Sequence, residues 1–560
     1  MFNTFKYNKM KKKLNLNILI SLLILLSMGC SEDYLDIRPI AAENSGSFYL
    51  LEEDAIQAVT TAYAMFNHVS YDKNLIMVLD ACSDDAEAGG EFVNEVPSFE
   101  NFNRLVPLTT AGELETTYGV SFRAIYFSNL ALEKIPGIPE TDPEADTVLL
   151  NRLMAECKFL RAIHYSNLTR YFGGVPYVDH VLGSDEYYGA KAPLKDLYAF
   201  MEADLKAAIA VLPERSGYGS SDIGRASKGA ARALLARILL YESSYARNYP
   251  GDERFEGMEE RWDEALEYAE QVINSEEYSL PGSEGERYYS WRQPQTNGYR
   301  YVFTSNGDNT EGIFEIQDIT DGLGWADARG NAITQYISAR RYTDTVGVSQ
   351  NTDYWGLNLP TQSLVDEFET GDPRLSASIA YEGSGDSIEV AGGDRYPISF
   401  DKSVTNTYCI KYECSAAEFK DVPNTPWHSA PINIKLIRYA DVLLMASEAA
   451  VMLNQNGKAL QYINKVRTRA RLCGPAGNTV PADLTGTVTL DDIIHERRVE
   501  LNMEGYRFTD LVRWNLATQY LNHFTADGYE VIFESPKHDF IPLPEREITV
   551  NPNLVQYNGW

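Results

Sequence analysis

LIRYADVLLMASEAAVMLNQNGKALQYINKVRTRARL, residues 436–472, carries two apolar stripes in succession. The first runs through Leu436, Tyr439, Leu443, Ala446, Ala450 and Leu453, the second through Leu460, Ile463, Val466 and Ala470, with Asn454 to Gly457 between them. Steps of three and four residues put each stripe on one helix face, and so short a break predicts an antiparallel helix pair. The next block, LDDIIHERRVELNMEGYRFTDLVRWNLA from Leu490, sets Glu496, Arg497, Arg498, Glu500, Glu504, Arg507, Asp510 and Arg513 at helical spacing beside Leu501, Phe508, Leu511 and Trp514. Pairing at i,i+3 and i,i+4 would neutralise these charges, so they read as a structural ion-pair network rather than an acid/base dyad. The last block, FIPLPEREITVNPNLVQYNGW from Phe540 to the end, is Pro-punctuated and predicts a non-helical tail.

Outward from these blocks, the same pattern recurs. Leu150 to Phe172 pairs with Asp196 to Leu212, and Ser227 to Tyr245 with Arg261 to Asn274. RWDEALEYAEQVINS shows the small-and-large alternation of a tetratricopeptide-like helix at Ala265, Leu266, Ala269 and Ile273. Such hairpins stack because none buries its apolar face alone, and the expected fold is mainly all-α, with helices over about 150–275 and 436–472. Between them lies an irregular stretch from about 275 to 431, rich in Gly, Asn, Asp, Tyr and Trp. It far exceeds ordinary loop length, and long loops on a rigid scaffold are where binding concentrates. A second irregular stretch, Ser83 to Gly112, follows an early helix around Leu75 to Cys82 and includes Asp84, Asp85, Glu87, Phe92, Phe99 and Phe102.

The three C-terminal blocks, in their order, resemble the SusD/RagB family of surface-exposed nutrient-binding lipoproteins that work with an outer-membrane TonB-dependent transporter. The resemblance extends upstream to AECKFLRAIHYSNLTRYFGGVPYV at 155–178, RASKGAARALLARILLYE at 225–242 and PTQSLVDEFETGDPRL at 360–375, and thins in the loops. It implies an α-helical protein with tetratricopeptide-like hairpins along one side, a signature over 490–560, and a place as a lid over a SusC/RagA-like barrel.

At the N-terminus Lys6, Lys9, Lys11, Lys12 and Lys13 precede an apolar run from Ile18 to Met28, then Gly29-Cys30. This predicts a secretory signal over residues 1–29, too short for a retained span. Cleavage after Gly29 would expose Cys30 for acylation, and multiple acyl chains would anchor the protein stably. Ser27 stands where such signals usually carry leucine, with Leu26 one place further out. Ser31-Glu32-Asp33 resembles the surface-export signal of bacteria that carry the family, which implies the outer membrane, facing the exterior. Residues 30–560 read as one SusD/RagB-like domain, because no Pro/Gly/Ser linker parts two cores.

With 49 basic and 80 acidic residues the net charge is −31, which repels phosphate and excludes nucleic acid as a partner. Hydrophobic content of 44% places the chain among globular proteins. Cys157 lies on an apolar helix face and reads as a small core residue. Cys409 and Cys414 are close enough in sequence to pair across a loop.

The seven histidines form no H-E-x-x-H, and the chain has no G-x-S-x-G elbow and no Walker loop, so zinc hydrolysis, serine hydrolysis and nucleotide chemistry lack sequence support. Gly322-Leu323-Gly324 is a bare turn. Asp318, Asp321 and Asp327 do not match a calcium loop. No metal or cofactor is expected. A carbohydrate, with apolar C–H faces ringed by hydroxyls, needs flat aromatic platforms beside planar polar groups. The irregular region supplies Tyr289, Trp291, Trp325, Tyr342, Tyr354 and Trp355, beside Asp327, Arg329 and Asn331. Trp325 leads this set, because DGLGWADARGN gives its ring no periodic apolar partners. Trp355 has a structural alternative, since YWGLNLPTQSLVDEF runs into a family-like segment. Arg329, Arg340 and Arg341 form a basic cluster that suits an anionic sugar or pairs with neighbouring acids.

The expectation is a lipid-anchored, non-enzymatic surface receptor that captures an oligosaccharide and delivers it to a SusC-like transporter. Peptide capture in the RagB manner is the first alternative, and a surface glycoside hydrolase the second.

Overall fold

The computed structural model describes residues 48–68, 70–92, 94–282, 299, 302–303, 309–319, 330–352, 354–389, 394–413 and 430–560. The expectations on the signal segment and Cys30, on Tyr289, Trp291, Trp325, Asp327 and Arg329, and on Cys414 lie outside the described residues.

The main helices are α1 (Glu52–Ala64), α2 (Tyr71–Ala81), α3 (Pro97–Asn103), α4 (Gly112–Lys134), α5 (Thr147–Phe172), α6 (Leu194–Val211), α7 (Lys228–Asn248), α8 (Trp262–Ile273), α9 (Gln362–Glu367), α10 (Tyr439–Met452), α11 (Asn456–Leu472), α12 (Leu490–Glu500) and α13 (Arg507–Arg513), with shorter helical turns between them. In the row from α4 to α8 each helix packs on the next, and the row continues from α8 directly into α10 and α11. The stretch from Asn274 to Arg438 is therefore an insertion that leaves the stack unbroken, as expected if every hairpin needs a neighbour for its exposed stripe. The three expected hairpins are α5–α6, α7–α8 and α10–α11. Helix α4 lengthens the row at its start. Its buried face includes Thr117, Ser121, Ser128 and Asn129, and so many polar residues dilute the apolar period that would announce it.

Helix ends are closed by side chains. Asp146 accepts from Val148 N at 2.8 Å at the start of α5, Ser227 Oγ accepts from Ala230 N at 3.1 Å at α7, and Thr489 with Asp492 forms a capping box on α12. Each satisfies an amide that the helix cannot. Helix α5 stops at Gly173, whose φ is +64°, and a Cβ there would lie 2.6 Å from Tyr557 Oη. The C-terminal tail docks at this point, with Tyr557 Oη donating to Phe172 O at 2.6 Å and accepting from Gly174 N at 2.7 Å. The tail is not wholly non-helical as its prolines predict, because Glu545–Val550 forms a short helix that Pro544 introduces.

Among the described residues the strands form six two-stranded antiparallel ribbons. They pair β1 (Ala86–Gly89) with β5 (Leu357–Pro360), β2 (Gly312–Ile316) with β10 (Ile434–Arg438), β3 (Arg341–Thr343) with β4 (Ser349–Asn351), β6 (Ile379–Tyr381) with β9 (Thr407–Cys409), β7 (Ser387–Glu389) with β8 (Arg395–Pro397), and β11 (His523–Phe524) with β12 (Glu530–Val531). The principal apolar core extends from Ala62 to Leu554. A smaller one beneath α1 includes Cys157, fully buried as its helix face implies. A third, built on Ala339, Leu359, Ala380, Ile388, Ile398 and Tyr408, lies wholly inside the 275–431 stretch. Much of that stretch is thus an apolar cluster held by strands too short for alternation to be read from sequence. Among the described residues no helix is long and apolar enough to cross a membrane.

The charged block differs from its expected pairing. Glu496 accepts from Arg374 at 2.6 Å and Arg467 at 2.7 Å, and Glu500 bonds Arg374, Arg438 and Arg469. Glu504 takes Arg438 at 2.8 Å and Lys411 at 2.6 Å, while Arg497 joins Asp441 and Asp510 at 2.8 Å each. Within the block the i,i+3 pair Arg513–Asp510 follows the helical rule. The physical reason is burial. Glu496, Arg497, Arg498 and Glu500 are all enclosed, so their partners come largely from the elements packed on them rather than from along the helix surface.

Candidate ligand-binding surface

The β1·β5 ribbon joins the two irregular stretches that the sequence keeps far apart. Its register is Ala86↔Pro360, Glu87↔Leu359 and Gly89↔Leu357, and Gly90 N donates to Gly356 O at 3.0 Å just beyond it. Gly89 has φ +80°, and a Cβ there would lie 2.5 Å from Gly356 O, so glycine is what permits this approach. The far end of the ribbon consequently carries Gly90 to Phe92 on one side and Trp355 on the other.

Trp355 is 39% exposed and Phe92 62% exposed. The Trp355 indole meets the Tyr336 ring edge-on at 4.6 Å and 74°, and its backbone amide donates to Gln335 O at 2.8 Å. Lys73, buried on α2, places Nζ 4.3 Å from the Tyr336 ring centroid. Arg340 donates to Trp355 O at 3.2 Å, pairs with Glu95 at 2.7 Å and reaches Glu91 at 3.4 Å, and Lys402 lies 3.3 Å from Glu91. Partial burial pushes the Glu95 carboxyl up, but the Arg340 hydrogen bond, the bond from the Glu91 amide and the Arg340 charge together outweigh it and hold the group below the usual range. The result is a part-exposed indole beside a planar guanidinium and two anchored carboxylates, a composition suited to the faces and hydroxyl rim of a sugar.

On the neighbouring side of β1 a shallow pocket of about 30 Å³ is lined by Glu87, Phe92, Glu100, Arg104, Val404 and Asp527. Burial, with Asp527 adding to it, pushes the Glu87 carboxyl up to about 7, although it accepts from Ala526 N at 3.0 Å.

The residues singled out in the sequence fall into separate environments. Trp355 is at this surface. Its neighbour Tyr354 is 3% exposed inside the third core cluster, so it packs rather than presents a ring face. Tyr342 leans on the same cluster with its ring 4.9 Å from that of Tyr396. Asn331 is 2% exposed, pairs its backbone with Ala430 and donates its side-chain amide to the carbonyls of Ala430 and Ile432. It closes a loop, and burial corrects its assignment as a ligand contact. Arg340 and Arg341 face acids, the latter with Asp401 at 3.6 Å, so they form no open anion cluster. Asp318 is buried with its amide on Asn433 Oδ1 at 3.0 Å. Lys73 was not legible as a neighbour of the aromatic set, because it lies on a different helix. Its one sequence signal is a lysine beside the apolar run of α2.

Two family profiles match the chain, one for the SusD family over residues 310–560 and one described as starch-binding, associating with outer membrane, over 33–240. A SusD-like protein of Formosa agariphila is 25% identical over 96% of this chain and 98% of its own length. The starch-binding protein SusD of Bacteroides thetaiotaomicron is 24% identical over 96% of this chain and 98% of its own. In three dimensions, surface glycan-binding protein A from Bacteroides thetaiotaomicron in complex with laminarihexaose superposes with a TM-score of 0.69 at 22% identity, covering 90% of this chain and 99% of that one. That likeness shows a shared fold. Family profiles over both halves and relatives along nearly the whole length agree with the C-terminal blocks: the chain belongs to the SusD/RagB family.

Proposed function

We propose that this protein is a lipid-anchored receptor on the outer membrane that captures an oligosaccharide at the Trp355 surface and delivers it to a SusC-like TonB-dependent transporter. The observation that carries the reading is the β1·β5 ribbon, which brings the chain around Gly90 to Phe92 next to Trp355, whose ring meets Tyr336 and whose carbonyl accepts from Arg340. Two relatives support the ligand class, being named for starch binding and solved with laminarihexaose respectively. The proposal keeps Trp325, Trp291, Tyr289, Asp327 and Arg329 as further contacts, since their segments adjoin the described part of the insertion in sequence. Cys30 is the proposed anchor, and the transporter the partner that completes the binding unit.

The reading has no bond-making step. Glu91 and Glu95 are held in ion pairs, which suits positioning more than proton transfer. The raised carboxyl of Glu87 is the observation on the side of a hydrolase.

A soluble form lacking residues 1–30 should be screened against plant, host and microbial glycans and a peptide pool, with Trp355→Ala and Trp325→Ala alongside. Binding to one glycan class that either variant weakens supports the proposal. Binding to peptides alone would transfer the protein to the peptide-capturing branch, and shortened glycan products that vanish in Glu87→Gln would make it a hydrolase.

A further inference from the structure

Arg498 of α12 touches both feet of the β1·β5 ribbon. On the β1 side its Nε donates to Asp85 Oδ1 at 2.8 Å, and its Nη2 lies 3.0 Å from Asp84 Oδ2. On the β5 side Nη1 meets Glu367 Oε2 at 2.9 Å and Nη2 donates to Ser363 Oγ at 3.1 Å, both residues belonging to α9, which follows the strand. Thr361 stitches the same two feet, with its amide on Asp85 O at 2.9 Å and its hydroxyl on Asp84 O at 2.8 Å. Arg507 completes the clamp with Nε and Nη2 on the Asp84 carboxylate at 2.8 and 3.0 Å.

These contacts lie at the Ala86↔Pro360 end of the ribbon, and the candidate ligand surface lies at the Gly89↔Leu357 end. At ~3.4 Å per residue the two ends are about 10 Å apart. A two-stranded ribbon of this length is marginal by itself, so its pitch is set by what grips it. A guanidinium is rigid and planar, and its donors leave at fixed angles. Here they fix the direction in which both strands leave the body of the protein. The geometry points to Arg498 as a positioning residue of the ligand surface, one that touches no ligand and sets the separation of Trp355 and Phe92 through the ribbon. The inference rests on the proposed function for its consequence, ligand affinity, and on the fold alone for its mechanism.

The experiment compares Arg498→Lys with Arg513→Lys in the soluble protein. Arg513 is buried as well but bonds Glu448 and Asp510, away from the ribbon. Hydrogen exchange needs no ligand. Arg498→Lys should speed exchange in peptides covering 86–92 and 354–360, and Arg513→Lys should leave those peptides as they are. Calorimetric titration with laminarihexaose and maltoheptaose should then show about 2- to 30-fold weaker binding for Arg498→Lys alone. Unchanged exchange in the ribbon, exchange that rises evenly across the chain, or equal affinity in Arg498→Lys and the unsubstituted protein overturns the inference. If the unsubstituted protein binds neither sugar, that result counts against the glycan reading, and the exchange arm alone decides this one. Ser363→Ala, which removes one bond of the clamp, serves if Arg498→Lys does not fold, with the same localised exchange expected.

Discussion

Asn358 on β5 donates its side-chain amide to the carboxyl of Asp80 on α2 at 3.1 Å, and Gly505 N donates to the other oxygen at 2.9 Å. Burial pushes the Asp80 carboxyl from its ordinary 3.8 up to about 7 despite both bonds. The strand beside Trp355 is thereby tied to the scaffold through a group that changes charge near neutrality.

The sign of the resulting pH dependence follows from proton counting. Between about pH 4 and pH 7 the unfolded chain has an ionised Asp80 while the folded chain keeps its proton, so the folded state binds more protons and this group's contribution to stability declines as pH rises. The contribution is complete below the unfolded value and gone above about 7. Asp80→Asn removes this dependence, whereas all other titrating groups stay common to both proteins. Urea unfolding at pH 4.5, 6 and 7.5 should show the stability of the native protein relative to Asp80→Asn falling across the series. A difference independent of pH would show that Asp80 is already ionised in the fold.

Trp355 and Tyr354 are adjacent in sequence and opposite in role. Trp355→Ala should cost about 1 kcal/mol of stability, through the lost edge-on contact with Tyr336. It should weaken glycan binding by ~1 kcal/mol or more through the lost stacking platform. Tyr354→Ala empties a position in a small apolar cluster and should cost about 3–5 kcal/mol of stability. Denaturant melts and calorimetric titration on the two variants separate the roles, and a Trp355→Ala protein that binds like the native one would remove the residue from the site.

That contrast shows where sequence reading reaches and where it stops. The hairpins were legible because a stripe at 3.6-residue spacing is local information, and α10 and α11 announce themselves within a single block. The stack order was not, since α8 meets α10 across an insertion whose length says nothing of its path. Among the aromatics, composition marks a region rich in ring faces but not which faces turn outward. Neighbouring strand residues point to opposite sides, and strands as short as β3 and β4 leave no alternation to count. Asn331 looked like a polar contact beside them, and only its carbonyl partners across the chain reveal a loop closure. The charged block named its residues correctly but, apart from Arg513–Asp510, not its pairings, because a buried arginine reaches whichever element packs on it.

Cys30 carries the proposed anchor. Cys30→Ala should move the protein from the membrane fraction into the soluble fraction of the producing bacterium, since one lost acylation site removes every acyl chain. Detergent-phase partitioning of the two forms is the measurement, and continued membrane retention of the variant would place the anchor elsewhere.

Glu500 offers the sharpest test of the buried network. Its carboxylate bonds Arg374 at 3.0 Å, Arg438 at 2.7 Å and Arg469, all three cations being enclosed. Burial alone would push its acidity down, but the charges of Arg469, Arg438 and Arg374 outweigh burial and hold the carboxyl well below the usual range. A depressed value stabilises the fold above the ordinary 4.5 and loses that contribution as pH falls below it. Glu500→Gln keeps the shape and removes the charge, leaving three buried guanidiniums short of one anion, which should cost about 3–5 kcal/mol at neutral pH. The penalty should shrink between pH 4.5 and pH 3, because the unfolded chain then takes up a proton at Glu500 while the folded carboxylate stays ionised, and glutamine has no such proton to bind. Unfolding midpoints of the two proteins at pH 7 and pH 3 check both statements together: a gap that widens toward acid would mean that the arginines are satisfied by other partners and that Glu500 is not the anion that joins them.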